Sequence, residues 1–288
     1  TSAGRPRDAW CEKSQRRERR SREDRESQMT PPQVRDPLPT CVQGLAPLPE
    51  GYHSSVRAGL DAVGAAALDD DRLAAIADHV RLLLAWNDAI NLSGIREPEA
   101  IAREHVLDSL SALTLLRRAV VTEFLDIGSG AGYPGLPLAV ALPATRAVLV
   151  ESIAKKARFL SAAVAAVGLA DRVAVAATRA ETLAANPAYR GRWQAVLARA
   201  VADLTELAEI SLPLMRTGGL LVAWKRLPMD AELTRAAQAV RQLGGRLAGY
   251  ERVDVPGLDD HVLAIVEKVG ITPPEFPRDP AARRRRPL

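Results

Sequence analysis

The chain has little cysteine and no long apolar run, and both shortages argue against whole classes of protein. Two cysteines, Cys11 and Cys41, occur in 288 residues, and neither lies near a histidine cluster. A disulfide framework or a cysteine-based metal site is therefore weakly supported, and we expect no metal. No apolar run reaches the roughly 18 residues of a membrane helix, and the N-terminus lacks the apolar core of a signal peptide. These absences predict a protein of the reducing cytoplasm that does not enter a membrane.

The composition predicts a sizeable core and a mild excess of positive charge. Hydrophobic residues make up 47% of the 288 residues, enough to bury the core of one large or two small domains. The formal net charge is +4 and the sequence pI is about 9.3. This excess suggests an anionic partner without proving one, because the arginine-rich ends contribute much of it.

Residues 1–51 mix arginine–glutamate runs with many prolines. Such a composition cannot bury a core, so we predict a disordered N-terminal extension rather than an RNA-binding arm. Met29 is a candidate start of translation, in which case residues 1–28 would not belong to the native protein.

Helical periodicity follows this extension. Apolar residues recur at helical spacing over 72–86, and the pattern returns over 97–116 after Pro98, a favourable first-turn proline. We therefore predict a helical N-terminal subdomain over residues 52–118.

Short β-rich runs alternate with helical stretches in the next segment, residues 119–270. The predicted strands are 123–127, 146–151, 172–177, 194–199, 219–225, 247–254 and 261–268. Alternating strands and helices predict an α/β fold with a doubly wound, Rossmann-like and mostly parallel sheet. Because only a turn around Pro256 separates the last two runs, they should form an antiparallel hairpin at the sheet edge. Residues 271–288 form a basic C-terminal tail.

A glycine-rich turn lies between the first predicted strand and the next helix, over residues 124–135. Gly128, Gly130 and a third glycine form a G-x-G-x-G pattern behind Asp126. Glycine lets the backbone turn tightly and approach a ligand closely. Dinucleotide-binding folds use G-x-G-x-x-G, whereas the order here is that of S-adenosylmethionine (SAM) methyltransferases. Glu151 ends the next apolar run, where an acid can accept both ribose hydroxyls. The pattern predicts a SAM site.

Further motifs carry a resemblance to a known family. They are NLSGIR at 91–96, REHVLDSL at 103–110, LDIGSGAGYPGLPL at 125–138, KARFL at 156–160, RAE at 179–181, ARAV at 198–201 and RRPL at 285–288. In this order they resemble the small-subunit ribosomal RNA guanine-N7 methyltransferases, or glucose-inhibited division protein B family, over residues 52–288. The resemblance implies a seven-stranded methyltransferase sheet, SAM as methyl donor, and a guanine near the decoding centre of 16S rRNA as target. The partner would be 16S rRNA or the small ribosomal subunit.

The resemblance also implies a set of cofactor contacts. Together with Asp126 and Gly130 of the turn, the cofactor-binding candidates are Gly128, Tyr133, Glu151, Ser152, Ile153, Ala180, Glu181 and Arg199. Ala180 and Glu181 would border the adenine. We assign no catalytic residue. Arg199 is a candidate for positioning the reactants; the alternative is that Arg199 is a surface arginine paired with Asp203.

Missing residues argue against other methylation reactions. Methylation at C5 of a pyrimidine normally needs a cysteine nucleophile, and no cysteine follows Cys41. Methylation of exocyclic amines usually goes with an Asn/Asp-Pro-Pro-aromatic turn, where this chain has Arg199-Ala-Val-Ala. Guanine N7 presents an unprotonated lone pair, so proximity and orientation suffice. The alternatives are a SAM-dependent small-molecule methyltransferase, an NAD-dependent dehydrogenase and a catalytically silent RNA-binding protein.

Basic side chains are the candidates for RNA contact, either as phosphate ligands or as solvated helix faces. The candidates are Lys155, Lys156, Arg158, Lys225, Arg285 and Arg286, with Arg226, Arg283 and Arg284 beside them. His105 and Asp108 lie three apart on one helical face, where their side chains could meet, and we favour a structural or substrate-pocket role for them over catalysis. His53, His79 and His261 show no site signal. We expect a monomer.

Overall fold

A computed structural model describes residues 38–288. Residues 1–37 of the predicted disordered extension lie outside the described residues. Residues 39–51 differ from that expectation, because side chains of the second helix hold their backbone. Arg81 donates to the carbonyl oxygens of Val42 and Ala46, and the Trp86 indole donates to that of Pro39 at 2.7 Å. These hydrogen bonds to its backbone carbonyl groups order the segment, although it has no hydrophobic core of its own.

The N-terminal part of the described chain is helical. Its elements are α1 (Glu50–Gly59), α2 (Asp70–Ile90), α3 (Pro98–Ile101), a π-helical turn (Ala102–Leu107), α4 (Asp108–Leu110) and α5 (Leu113–Arg118). Asp69 caps α2 by accepting a hydrogen bond from the Arg72 amide at 2.9 Å. Asn91, with φ of 49°, ends it in the left-handed region. The π-helical turn overlaps the first five residues of the REHVLDSL motif, and such turns are frequent at functional sites.

Seven strands follow and form one sheet. They are β1 (Glu123–Ile127), β2 (Arg146–Val150), β3 (Val173–Ala176), β4 (Trp193–Arg199), β5 (Met215–Arg226), β6 (Gly245–Arg252) and β7 (His261–Lys268). The helices that accompany them are α6 (Gly135–Ala141), α7 (Ala154–Ala166), α8 (Ala180–Ala185), α9 (Leu204–Ser211), α10 (Asp230–Gln242) and α11 (Pro280–Arg285). None of the helices in the described part of the chain is long and apolar enough to cross a membrane.

The strand order is β3-β2-β1-β4-β5-β7-β6, with β1 to β5 parallel. β7 lies antiparallel between β5 and β6, so the predicted fold class and the antiparallel edge hairpin are confirmed. β5 begins earlier than predicted, because Met215 pairs with Trp193 before a register shift. The predicted boundaries between a helical subdomain, a methyltransferase domain and a tail stay a prediction.

The order of the central strands decides where a ligand can bind. β1 lies between β2 and β4, so the direction of the connections reverses there. In open parallel sheets such a reversal leaves a crevice outside the carboxyl ends of the strands. The ends of β1, β2 and β4, at Ile127, Val150 and Arg199, therefore meet at one edge.

Candidate active site

The glycine turn after β1 is held against the end of β2. The amides of Gly128 and Ser129 both donate to the Val150 carbonyl, at 2.8 and 3.1 Å. Gly128 has φ of 69°, and a Cβ there would lie 2.8 Å from the Cγ2 atom of Val201. Only glycine meets both conditions without strain, which leaves the backbone of this turn open to a ligand.

Asp126 lies beneath this turn. Its side chain is fully buried, and Oδ2 accepts a hydrogen bond from the Gly135 amide at 3.1 Å. Burial raises the pKa of Asp126 to about 7. The carboxyl group thus links the end of β1 to the start of α6, so its role is to hold the turn from below.

Glu151 connects the two loops at the ends of β1 and β2. Its side chain accepts from the Gly130 amide at 3.1 Å through Oε2 and from the Ile153 amide at 2.7 Å through Oε1. Glu151 is 5% exposed, and its neighbours Val150 and Ser152 line a crevice. A carboxylate has about four acceptor positions, so each oxygen can still accept one hydrogen bond from a hydroxyl group. These free acceptor positions fit the two hydroxyl groups of a ribose.

The crevice has a volume of about 210 Å³. The ends of β1 and β2, the turn into α8, the loop after β4 and helix α11 enclose it. Of the predicted cofactor contacts, Gly128, Ser152, Ala180 and Glu181 line it. Ile153 and Val201 are apolar and exposed at 44% and 39%. Apolar side chains beside a few placed polar groups are typical of small-molecule binding sites.

A second cavity, of about 410 Å³, adjoins the crevice, and Ala202 borders both. Its walls come from the π-turn and α4, from the end of β4, and from β5 and β7. Arg199, His105, Asp108, Trp224 and His261 all line it. A cavity of this size accommodates a nucleobase.

Arg199 organises this second cavity. Its guanidinium donates to Asp108 Oδ2 at 3.0 Å and to the Glu104 carbonyl at 2.9 Å. Asp108 is 2% exposed, so the ion pair is buried. The alternative pairing of Arg199 with Asp203 is wrong, because Asp203 caps α9 by accepting from the Glu206 amide at 3.0 Å. Ala200 has φ of 56°, a strained conformation that often occurs at ligand sites.

Asp108 also binds the far side of the cavity. Its Oδ1 accepts from His261 Nδ1 at 2.9 Å, and its carbonyl accepts from the Trp224 indole at 2.8 Å. Sequence reasoning gave His261 no role. No local pattern marks it, because it acts through a residue that lies far away in the chain.

Tyr133 lies in a ring stack under Arg199. Its ring lies 4.6 Å from His79 and 4.7 Å from His105 between centroids, with the Arg199 guanidinium 5.4 Å away. The side chain is buried and lines neither the crevice nor the second cavity. His79 Nε2 lies 2.7 Å from the Ala131 carbonyl, so this histidine, for which the sequence showed no signal, holds the glycine turn.

His105 and Asp108 do not bond to each other directly; Arg199 lies between them and contacts both. The guanidinium lies 3.1 Å from His105 Nδ1 and can donate only to an unprotonated nitrogen. Burial and the nearby Arg199 charge lower the pKa of His105 to about 4. A neutral ring with its proton on Nε2, facing the Ser93 hydroxyl at 2.7 Å, satisfies these two contacts. The Glu104 carbonyl, 3.2 Å from Nδ1, then receives its hydrogen bond from Arg199 rather than from His105.

The predicted RNA-binding residues differ in their surroundings. Lys155 and Arg158 are exposed on α7, and Lys156 is half-buried. Lys225 instead pairs with Glu232 at 2.6 Å and donates to the Ala202 carbonyl. Arg285 and Arg286 are exposed on the tail. Among residues 38–288, no cluster of three or more His, Cys, Asp or Glu side chains could hold a metal ion.

Comparison with known proteins identifies the family of this chain. The profile of the family described as rRNA small subunit methyltransferase G (GidB) matches residues 72–254. The ribosomal RNA small subunit methyltransferase G of Roseiflexus castenholzii is 40% identical over 221 residues, covering 77% of this chain and 94% of that protein. The protein of the same name from Dehalococcoides mccartyi is 40% identical over 231 residues, covering 80% and 97%. Among solved structures, the antibiotic-resistance methyltransferase Kmr is similar at 20% identity, with a TM-score of 0.42 over 54% of this chain and 93% of that chain. The chain belongs to the rRNA small subunit methyltransferase G family.

Proposed function

We propose that this protein transfers a methyl group from SAM to N7 of a guanine in 16S rRNA near the decoding region. Family membership supports the reaction and its RNA substrate. The observation that carries the proposal is the adjacency of the crevice and the second cavity, which share Ala202 at the carboxyl edge of the sheet. A cofactor in the first and a base in the second would lie side by side.

The residues of the crevice fit SAM. The glycine turn offers open backbone, Glu151 has spare acceptor capacity for the ribose, and Ile153 and Val201 offer apolar surface for the adenine. Ala180 and Glu181 also line the crevice. When bound, SAM would supply a methyl group attached to a positively charged sulfur. A nitrogen lone pair can attack the carbon of that methyl group, and the sulfur leaves with the electrons of the broken carbon–sulfur bond.

The second cavity would orient the guanine without removing a proton. N7 carries its lone pair in the ring plane, so the reaction needs position rather than a general base. The neutral His105, held between Ser93 and Arg199, fits such a positioning role. Methylation leaves a positive charge on the base. Because Arg199 is paired with Asp108, this wall does not repel that charge.

The RNA would be held by exposed basic side chains around the two cavities. Lys155 and Arg158 on α7 and Arg285 and Arg286 on the tail are free to neutralise phosphates, which gives affinity and position but no sequence reading. We propose that the protein acts as a monomer, without a metal, in the cytoplasm, where 16S rRNA is assembled into subunits.

Labelling with tritiated SAM tests the function directly. The purified protein is incubated with 30S subunits, with naked 16S rRNA and with a small-molecule extract, and the labelled product is mapped. We expect label in 16S rRNA as 7-methylguanosine. The Glu151→Gln variant serves as a control that should lose labelling through SAM binding. Label confined to small molecules, or on another atom of the RNA, would contradict the proposal.

A further inference from the structure

Helix α11, in the C-terminal tail, forms part of the wall of the cofactor crevice. Asp279 caps the helix by accepting from the Ala281 amide at 2.8 Å, and Pro280 occupies its first turn. Pro280, Arg283 and Arg284 line the crevice together with the strand ends. The sequence suggested only an RNA contact for this tail, so a position beside the cofactor is a separate property.

Arg283 anchors the helix from inside. Its side chain is 6% exposed and donates to the Glu181 carboxylate and to the Arg278 carbonyl at 3.0 Å. Glu206 lies 3.5 Å away. Glu181, which accepts the hydrogen bond from Arg283, itself lines the crevice. Burying a guanidinium is costly unless it is paired, so this placement depends on Glu181.

A second buried ion pair fixes the segment that leads into α11. Arg278 donates to both oxygens of Glu209, at 2.8 Å through Nε and 2.6 Å through Nη2, and Glu209 is almost fully buried. In contrast, Arg285 and Arg286 face solvent on the same tail. Arg283 therefore contacts the crevice wall from inside, whereas Arg285 and Arg286 do not line the crevice.

We propose that Arg283 is a positioning residue for the cofactor: it fixes the carboxylate of Glu181 and holds α11 as the outer wall of the crevice. This inference depends on the proposed function, in which that crevice binds SAM. The pKa of Glu181 agrees with it. Burial raises this pKa, but the hydrogen bond and charge of Arg283, together with a backbone hydrogen bond and the Arg179 charge, lower it overall, so Glu181 stays ionised.

SAM affinity measured by calorimetry without RNA tests the proposal. We expect Arg283→Met to weaken SAM binding about tenfold, the usual effect of losing a charged hydrogen bond. Arg283→Lys should restore part of the affinity. The KM for 30S subunits at saturating SAM should change less than twofold. The exposed Arg285→Met should show the reverse pattern, with an unchanged SAM affinity and a raised KM for 30S. Arg241→Met, on the exposed end of α10, controls for loss of one positive charge.

A double-mutant cycle and proteolysis give independent readouts. Glu181→Gln should weaken SAM binding to a similar extent, and the double variant with Arg283→Met should lose little more. Saturating SAM should slow trypsin cleavage after Arg283 in the wild-type protein, because a ligand stabilises the parts that form its site. Should Arg283→Met not fold, Arg283→Lys and Glu181→Gln carry the test. Unchanged SAM affinity in folded variants would overturn the inference, whereas a wild-type protein that does not bind SAM would overturn the proposed function instead.

Discussion

Asp108 and His261 lie 153 positions apart in the chain and share a hydrogen bond of 2.9 Å between Oδ1 and Nδ1. The other oxygen of Asp108 binds Arg199 at the end of β4, and its carbonyl binds Trp224 on β5. One buried residue of α4 thus joins the helical N-terminal part to three strands of the sheet. The second cavity exists only while these parts are docked together.

Replacing Asp108 should cost more stability than replacing any exposed acid. The Asp108→Asn substitution leaves Arg199 buried without its counter-charge, which destabilises proteins by about 3–5 kcal/mol. Urea denaturation measures the loss, and RNA methylation should fall more than SAM affinity. Asp203→Asn is the matched control, because asparagine caps a helix nearly as well as aspartate. Equal losses for both variants would show that Arg199 does not depend on Asp108.

Asp126 should make the protein less stable as the pH rises from about 4 to about 7. Its pKa is raised by burial from 3.8 to about 7, so in this range the unfolded chain releases a proton that the folded protein keeps. The stability contributed by the protonated group is complete below pH 4 and lost by about pH 7, on the order of 4 kcal/mol in total.

The stability of the Asp126→Asn variant should not depend on pH in this range, although its side-chain oxygen can still accept the hydrogen bond from the Gly135 amide. Urea denaturation at several pH values compares it with the wild type. Asp88→Asn, at an exposed ion pair, should keep the wild-type slope. A slope that survives in Asp126→Asn would place the responsible group elsewhere.

Alanine at Gly128 should impair SAM binding beyond its cost to the backbone. Gly128 and Gly168 both have φ of 69°, where a Cβ costs roughly 1–2 kcal/mol. A Cβ at Gly128 also meets Val201, whereas one at Gly168 has no atom within 4 Å. Both variants should therefore lose stability, but only Gly128→Ala should weaken SAM binding, as measured by calorimetry. Adding Val201→Ala should relieve the clash at Gly128, and no relief would argue against it.

Exposed and paired lysines should affect RNA binding differently. Lys155→Ala and Arg158→Ala should each weaken 30S binding and reduce the slope of log affinity against log salt by about one, as expected for a phosphate contact. Filter binding over a salt series measures this. Lys225→Met should lower stability instead, because Lys225 is paired with Glu232 and bound to Ala202. An unchanged slope for both α7 variants would remove them from the RNA surface.

The local sequence pattern was sufficient to predict the order of the strands and helices and the position of the glycine turn. The alternation of β-rich and helical runs predicted the parallel sheet and its edge hairpin, because periods of two and 3.6 residues depend on near neighbours alone. The glycine spacing likewise predicted a turn whose φ values only glycine tolerates, and Gly128 indeed lies at the crevice. Residues 39–51 escaped this reasoning, because their order comes from Arg81 and Trp86 on a later helix.

The sequence by itself thus determined the fold class, the position of the glycine turn and the acid at the end of β2, since each depends on residues adjacent in the chain. Tertiary structure alone decided that Arg199 pairs with Asp108 rather than with Asp203, that His261 joins them, and that Arg283 faces Glu181. A buried charge takes whichever opposite charge the folded chain brings within hydrogen-bonding distance. That distance is set by how helices dock on the sheet, which no spacing along the chain records.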